Sequence, residues 1–318
     1  MELRDVGASS LRVSQAGVGC NNFGLRLDLE ATRRVVHRAL DLGVTLFDTA
    51  DAYGNRGGSE SQLGKVLGAQ RKEVILATKF GWEMDDVGEK RGGARRYVLQ
   101  AVENSLKRLR TDWIDLYQLH KPDSQTPIDE TLRALDDLIR QGKVRYIGCS
   151  NFAAWQVVNA AWTARHLGLN AFVSAQNEYS LLARESEAEL VPAMQEFGVG
   201  LLPYYPLAGG LLSGKYRRTD PLPAGARLTD TKRSADRFLT ERNWSTVDKL
   251  QALAAERGRT LLDLSMGWLA SRPTVASVIA GATTPEQVEA NVAAMATRLD
   301  ADELGAINLI LSPSRLPK

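Results

Sequence analysis

The sequence is short of cysteine, of histidine and of long apolar runs, and each shortage removes a class of protein. Its 318 residues contain two cysteines, Cys20 and Cys149, too few for a disulfide framework. Three histidines, with just one at the end of a strand pattern, leave too few ligands for the usual zinc sites, so no metal is expected. No stretch approaches the ~18 consecutive apolar residues of a membrane span. The formal net charge is only +2 and no Lys/Arg run forms a basic stripe, which argues against nucleic acid as a partner. Met1-Glu2-Leu3-Arg4-Asp5 leads into no apolar core of a secretory leader. Together these absences point to a soluble protein of the reducing cytoplasm with neither nucleic-acid nor membrane partners. A Gly-x-Gly-x-x-Gly turn after the first strand is also missing, which weakens a doubly wound open sheet.

What is present is alternation. Glu2 to Val6 and Leu11-Arg12-Val13, split by Gly7-Ala8-Ser9-Ser10, read as a small hairpin. Eight strand candidates follow: Ala16 to Gly19, Val44 to Asp48, Val74 to Lys79, Ile114 to His120, Val144 to Gly148 leading to Ser150-Asn151, Phe172 to Gln176, Val199 to Pro203 leading to Tyr204, and Val275 to Ala280 leading to Gly281. Helical stripes separate them, such as Val98, Ala101, Val102, Ser105, Leu106 and Leu109, or Leu132, Leu135, Leu138 and Ile139. Ser59-Glu60-Ser61-Gln62 has the pattern of a capping box, and Thr284-Pro285-Glu286-Gln287 that of a capped start with Pro in the first turn. Such alternation argues for a parallel sheet with helical crossovers, and eight units predict a (β/α)8 TIM barrel, one domain over residues 1–318. The N-terminal hairpin, residues 207–258 and an extra C-terminal helix around Leu304 to Leu309 are the expected additions. Residues 82–95 and 217–237 read as polar rim loops, and a homo-oligomer is left open.

In such a barrel, functional side chains sit where strands end at the C-terminal face. Asp48, Lys79 and His120 end three consecutive strand patterns, and Tyr53 lies in the loop after the first. These four residue types suit one task, the protonation of a carbonyl oxygen. A phenol is a reluctant acid near neutral pH. A neighbouring ammonium favours the phenolate and so eases proton release. Asp48 keeps Lys79 charged, and His120 orients the substrate oxygen. No side chain donates hydride, so a nicotinamide cofactor is implied.

The chain resembles the aldo-keto reductase superfamily in a series of motifs that run in order along nearly its whole length. They are Asp48-Thr49-Ala50 with Tyr53-Gly54, Ala77-Thr78-Lys79, Leu119-His120-Lys121-Pro122-Asp123, Gly148-Cys149-Ser150-Asn151-Phe152, Gln176-Asn177-Glu178-Tyr179, Tyr204-Tyr205-Pro206-Leu207, Gly209 to Tyr216, and Gly281 to Asn291. It is similar to the bacterial branch that also resembles potassium-channel β-subunits. The resemblance implies reduction of a small carbonyl substrate with NADPH, usually without metal, by Asp48, Tyr53, Lys79 and His120, with Tyr53 as general acid. It implies that Ser150, Asn151 and Gln176 hold the nicotinamide carboxamide, and that Tyr204, rather than Tyr205, stacks on the ring. Pro206, Leu207, Gly209 and Lys215 match the pyrophosphate segment. Gly281, Thr283, Gln287 and Asn291 match the adenosine side, and Arg227 the loop at the 2′-phosphate. Lys215, Arg217, Arg218 and Arg227 favour NADPH, with NADH left open. Two positions depart from the family pattern: Ala290 precedes Asn291 where Glu is usual, and Tyr205 stands where Ser is common. The alternative function is an NADP(H)-sensing module with slow or vestigial turnover, as channel β-subunits are.

Other conspicuous residues have plainer expectations. His37 and His166 fall on helix patterns, solvated or packed. Cys20 and Cys149 read as small buried hydrophobes. Trp155 and Trp162, seven apart on one helix face, read as packing residues rather than a cofactor box. Lys90, Arg95 and Arg96 read as a solvated rim. Trp82, in a mouth loop just past Lys79, is a candidate to line the substrate pocket.

Overall fold

The computed structural model describes residues 1–311. The chain opens with an antiparallel hairpin of β1 (Leu3–Asp5) and β2 (Arg12–Ser14), in which Arg4 faces Val13. The barrel begins with β3 (Ala16–Gly19), α1 (Leu29–Asp41), β4 (Leu46–Asp48), α2 (Tyr53–Leu67), β5 (Ile75–Phe80) and α3 (Arg95–Leu109). It continues through β6 (Ile114–Leu119), α4 (Ile128–Arg140), β7 (Val144–Ser150), α5 (Ala154–Leu167), β8 (Ser174–Gln176), α6 (Leu190–Glu196) and β9 (Gly200–Leu201). A 3-10 helix (Ala208–Ser213) and four α-helices then precede the last strand: α7 (Arg227–Asp230), α8 (Lys232–Phe238), α9 (Glu241–Glu256) and α10 (Leu261–Ala270). The described chain closes with β10 (Val278–Gly281), α11 (Pro285–Met295) and α12 (Ala301–Leu311).

The eight strands from β3 onward are parallel, in the order β10-β3-β4-β5-β6-β7-β8-β9. Parallel neighbours need long crossovers, which the helices supply. The ring closes between β9 and β10 through a bridge of Leu201 with Val275, hydrogen bonds joining Leu201 to Thr274 and Ala276, and one from Ile279 N to Pro203 O. This is the (β/α)8 architecture expected from the alternation, with the hairpin before it and the helix after it.

Side chains alternate across a strand, so every second residue points into the barrel. Leu46 and Asp48 on β4, Ala77 and Lys79 on β5, and Leu116, Gln118 and His120 along β6 share that inward phase. The lower members form an apolar inner core, Leu46, Ala77, Leu116, Leu202, Ala276 and Ile279, sealed from below by Val6, Leu11 and Val13 of the hairpin. The upper members are polar and build the site. A larger outer core lies between strands and helices, with Phe47, Leu76, Tyr117 and Ile147 on the sheet side.

Three local expectations are corrected. The capping box at Ser59-Glu60-Ser61-Gln62 does not form. Gly54 to Gly57 all hold positive φ, and Ser59 Oγ donates instead to Cys20 O at 2.7 Å. Gln62 Oε1 is taken by Gly24 N at 2.8 Å and Thr32 Oγ1 at 2.7 Å. Tertiary partners outbid the local motif. Trp155 and Trp162, expected to pack, lie on the outward face of α5, 67% and 53% exposed, with Trp162 alone of the pair meeting a ring among the described residues, that of Phe197, edge-on at 6.0 Å, while Val157, Ala160 and Ala164 are buried. Residues 217–237, expected as a polar rim loop, carry helical turns, and the insertion 207–258 around them is substantially helical. It includes α7 and α8 and the 16-residue α9, whose Trp244, Val247 and Leu250 are buried. Elsewhere Thr284 caps α11 by accepting from Gln287 N, with Pro285 in the first turn.

Candidate active site

The ends of β4, β5 and β6 converge because each ladder continues one step into the following loop. Thr49 N donates to Ala77 O, Asp51 N to Lys79 O, and His120 N to Phe80 O, at 2.8–3.0 Å. These bonds hold the backbone that carries Tyr53. Lys79 is fully buried. Its ammonium lies 2.6 Å from Asp48 Oδ2, 2.9 Å from Thr49 O and 3.4 Å from Tyr53 Oη. The other oxygen of Asp48 accepts from Gln176 Nε2 at 2.9 Å and Gln118 Nε2 at 3.2 Å. The His120 ring stands edge-on to Tyr53, centroids 5.5 Å apart.

Protonation states follow from these surroundings. Burial alone would push the Lys79 ammonium down, but Asp48 and Tyr53 more than offset it and hold it above the ordinary lysine value. Burial pushes the Tyr53 phenol up; the charge of Lys79 pulls against that, and Asp48 adds to it. Burial, then the charges of Lys79 and Lys121, hold His120 well below the usual imidazole value, so it is neutral. Its Nδ1 is buried without a hydrogen-bond partner among the described residues.

These groups sit at one end of a cavity of about 810 Å³. All the residues predicted for catalysis and cofactor binding line it except Lys79, which lies beneath its floor. Ser150 Oγ donates to Gln176 O at 2.8 Å, and Asn151 Nδ2 to His120 O at 2.9 Å. Tyr204 Oη donates to Asn151 Oδ1 at 2.8 Å. Tyr205, with φ +50, crosses Tyr204 edge-on at 5.4 Å and lines the same wall. Gly209 and Gly210 hold φ of +70 and +104, which a side chain would resist, and carry the wall round to Lys215.

Beyond Tyr204 and Tyr205 the cavity is cationic, lined by Arg26, Lys215, Arg227 and Arg233, while Arg237 lies nearer Tyr204. Arg26 pairs with Asp230 and Arg237 with Glu178. Lys215, Arg227 and Arg233 have no carboxylate partner among the described residues; Arg227 donates to Asn22 Oδ1 at 3.3 Å and lies over the Tyr205 ring, 5.7 Å from its centroid. Burial, then the charges of Arg26 and Arg227, lower the Lys215 ammonium. Cations gathered without counter-charge are a donor set for phosphate, and Gln287 and Asn291 of α11 stand beside them. The donors therefore fit a ligand with a phosphate-bearing end and a polar head near Tyr53. Arg217 and Arg218 lie outside the cavity lining, and Arg218 is paired with Glu241. Among the described residues no three His, Cys, Asp or Glu side chains cluster as metal ligands, and no helix is long and apolar enough to cross a membrane.

The aldo/keto reductase family model matches residues 16–311. The chain belongs to the aldo/keto reductase family. It is an oxidoreductase of that family. It is 38% identical to the uncharacterized oxidoreductase YrpG of Bacillus subtilis, over 97% of this chain and 95% of that protein. It is 36% identical to a probable voltage-gated potassium channel subunit beta of Oryza sativa, over 93% and 91%. It is 33% identical to the L-glyceraldehyde 3-phosphate reductase of Escherichia coli, over 93% and 88%.

Several groups in and beneath this cavity were missed by the sequence reading. Gln118 was legible, since it shares the inward phase of β6 with His120. Asn22, Arg26 and Arg237 line the cavity from loops and a short helix, where no periodicity marks them. Trp82 lines the mouth as expected, 5.1 Å from the His120 ring. Cys20 and Cys149 are fully buried, and His37 and His166 are exposed.

Proposed function

We propose that this reductase converts aldehydes and ketones to alcohols with NADPH, and that Tyr53 supplies the proton. The observation that carries the reading is the buried Asp48–Lys79–Tyr53 chain, with a neutral His120 beside it, at one end of a cavity whose other end is cationic. When bound, the dihydronicotinamide would supply hydride to the carbonyl carbon. Ser150, Asn151, Gln176 and Tyr204 would hold its head. Pro206, Leu207, Gly209 and Lys215 would follow the pyrophosphate, and Arg227, Gly281, Thr283, Gln287 and Asn291 the adenosine end.

The protonation states divide the labour. His120 is held neutral, so it has no spare proton near pH 7 and serves as a hydrogen-bond donor that orients the carbonyl oxygen. Tyr53 keeps its proton through neutral pH and gives it to that oxygen as negative charge develops. The phenolate left behind lies 3.4 Å from Lys79, whose ammonium stabilises it until a proton returns from solvent. Asp48 keeps Lys79 charged. Loss of a positioned proton donor lowers rates by ~10²–10⁴. Tyr53→Phe should therefore lose turnover by at least that factor while its NADPH affinity, read by fluorescence titration, stays within about threefold. A loss of affinity as large as the loss of turnover refutes this division of roles.

One observation favours a second reading: the 36% identity to a rice protein named as a probable channel subunit. On that reading the protein binds NADP(H) and turns over slowly as a sensor. Mixing NADPH, and separately NADH, with the protein and a panel of simple aldehydes separates the two. Nucleotide consumption supports the reductase; binding without consumption supports the sensor.

A further inference from the structure

The two ends of the cavity treat charge differently. At the far end Lys215, Arg227 and Arg233 lack carboxylate partners among the described residues. Beside Tyr204 the lining cation is Arg237, paired with Glu178; at the mouth, beside Tyr53 and His120, it is Lys121, and it is engaged. Its ammonium is 2.9 Å from Glu83 Oε1 and lies over the Trp82 ring, 4.6 Å from the centroid. Trp82 in turn leans on His120. Arg91 also approaches Glu83, at 3.7 Å, and Arg56 pairs with Asp86 at 2.6 Å. The loop that carries Glu83 is pinned at its base, with Gly92 N on Gly81 O at 3.1 Å and Gly93 N on Asp123 Oδ2 at 2.8 Å. Arg91 and Arg56 lie outside the cavity lining, so the charge that faces the mouth here is that of Lys121, and Glu83 compensates it beside the Trp82 ring.

We propose that Glu83 is a specificity-determining residue: by occupying Lys121 it makes the substrate mouth neutral, so that the enzyme prefers aldehydes with an uncharged aromatic or apolar tail and disfavours those carrying a carboxylate or phosphate. This rests on the reductase reading above. An anionic tail entering beside Trp82 would have to displace Glu83 from Lys121 or meet its charge. A neutral ring meets the faces of Trp82 and His120 with no charge to compensate. The far end shows the opposite arrangement, free cations, where phosphate is to be held.

The test compares 4-nitrobenzaldehyde with 4-carboxybenzaldehyde, whose planar substituents are alike in shape and differ in charge. Using the full chain and NADPH, kcat/KM is measured for both. The nitro-to-carboxy ratio of Glu83→Gln should fall by about five- to tenfold from that of the wild type, through faster reduction of the carboxylate, and the fall should shrink at high salt. Adding Lys121→Met in the same chain should return the ratio towards the wild-type value, since of the two cations freed, Lys121 and Arg91, the one that lines the cavity is then gone. Turnover of 4-nitrobenzaldehyde by each variant reports that the site is assembled. An unchanged ratio in Glu83→Gln, or one that the second substitution does not restore, overturns the assignment of Glu83 alone. Failure of the wild type to reduce either aldehyde overturns the reductase reading, and this assignment with it.

Discussion

Asp51 stands two residues before Tyr53 and is almost fully buried behind the loop that carries it, where Tyr97 Oη approaches it at 3.4 Å and its Oδ1 has no partner among the described residues. Burial, with the nearby charge of Glu60, raises its carboxyl to about 8; Arg108, itself 2.6 Å from Glu60, lowers it only in part. In the unfolded chain the same group titrates near the ordinary ~3.9. Between those values the folded protein holds the extra proton, so stability falls as pH rises from about 4 to 8 and then levels, by at most ~1.4 kcal/mol per pH unit. Asp51→Asn cannot ionise and should lose that slope. Urea unfolding at pH 5.5 and 8.5 should show the variant gaining on the wild type by a few kcal/mol at the higher pH. Equal slopes would mean that Asp51 is ionised in the fold. At this scale the four proposed catalytic residues were legible because strand ends and residue chemistry coincide. Asp51 was passed over, since nothing in Asp48-Thr49-Ala50-Asp51 says which carboxylate turns to the cavity and which turns behind it.

Among the elements, α2 and α3 cross closely enough that a Cβ on Gly64 would lie 2.6 Å from Arg108 O and the Leu109 backbone. Backbone cannot move aside as a flexible side chain can, so Gly64→Ala should force the helices apart. The expected loss is about 1–3 kcal/mol, measured by chemical denaturation, even though Ala is the better helix former. A stabilised variant would mean that the two helices can slide. Element existence was readable from period and length, and the strand ends fell close to where the apolar runs stop. Facing was less readable. Trp155 and Trp162 do share a face of α5, but periodicity gives the grouping and not its direction, and the smaller Val157, Ala160 and Ala164 took the inner side. The capping box failed for a related reason, because Ser59 and Gln62 found partners distant in sequence, in the loop after β3 and in α1.

For the whole molecule, the barrel has a chemical top and a structural bottom. Val6, Leu11 and Val13 of the hairpin complete the inner core from below, while every proposed reacting group lies at the other end. Leu11→Ala should cost about 2–5 kcal/mol of stability with KM for NADPH little changed, as thermal unfolding and steady-state assays would read. A large rise in KM would show that the bottom and the mouth are mechanically linked. The hairpin and the alternation were visible in the sequence. The way 207–258 folds over one side, with α9 packed into the outer core, was not, since its polar stretches resemble loops and its apolar ones are short.

The ring is joined at β9 and β10 by a bridge pair in place of a ladder, and the cavity draws its wall from both sides of that join, Tyr204 to Leu207 on one and Ile279 to Gly281 on the other. A dinucleotide lying there would grip both lips and act as a rivet. Amide exchange at Leu201, Ala276 and Ile279 should then slow on adding NADPH far more than at Leu116 or Tyr117 in β6; equal slowing would leave the join with no special role. The nucleotide supply of the cell would in that way set how often the barrel gapes, and with it how readily proteases find an open chain.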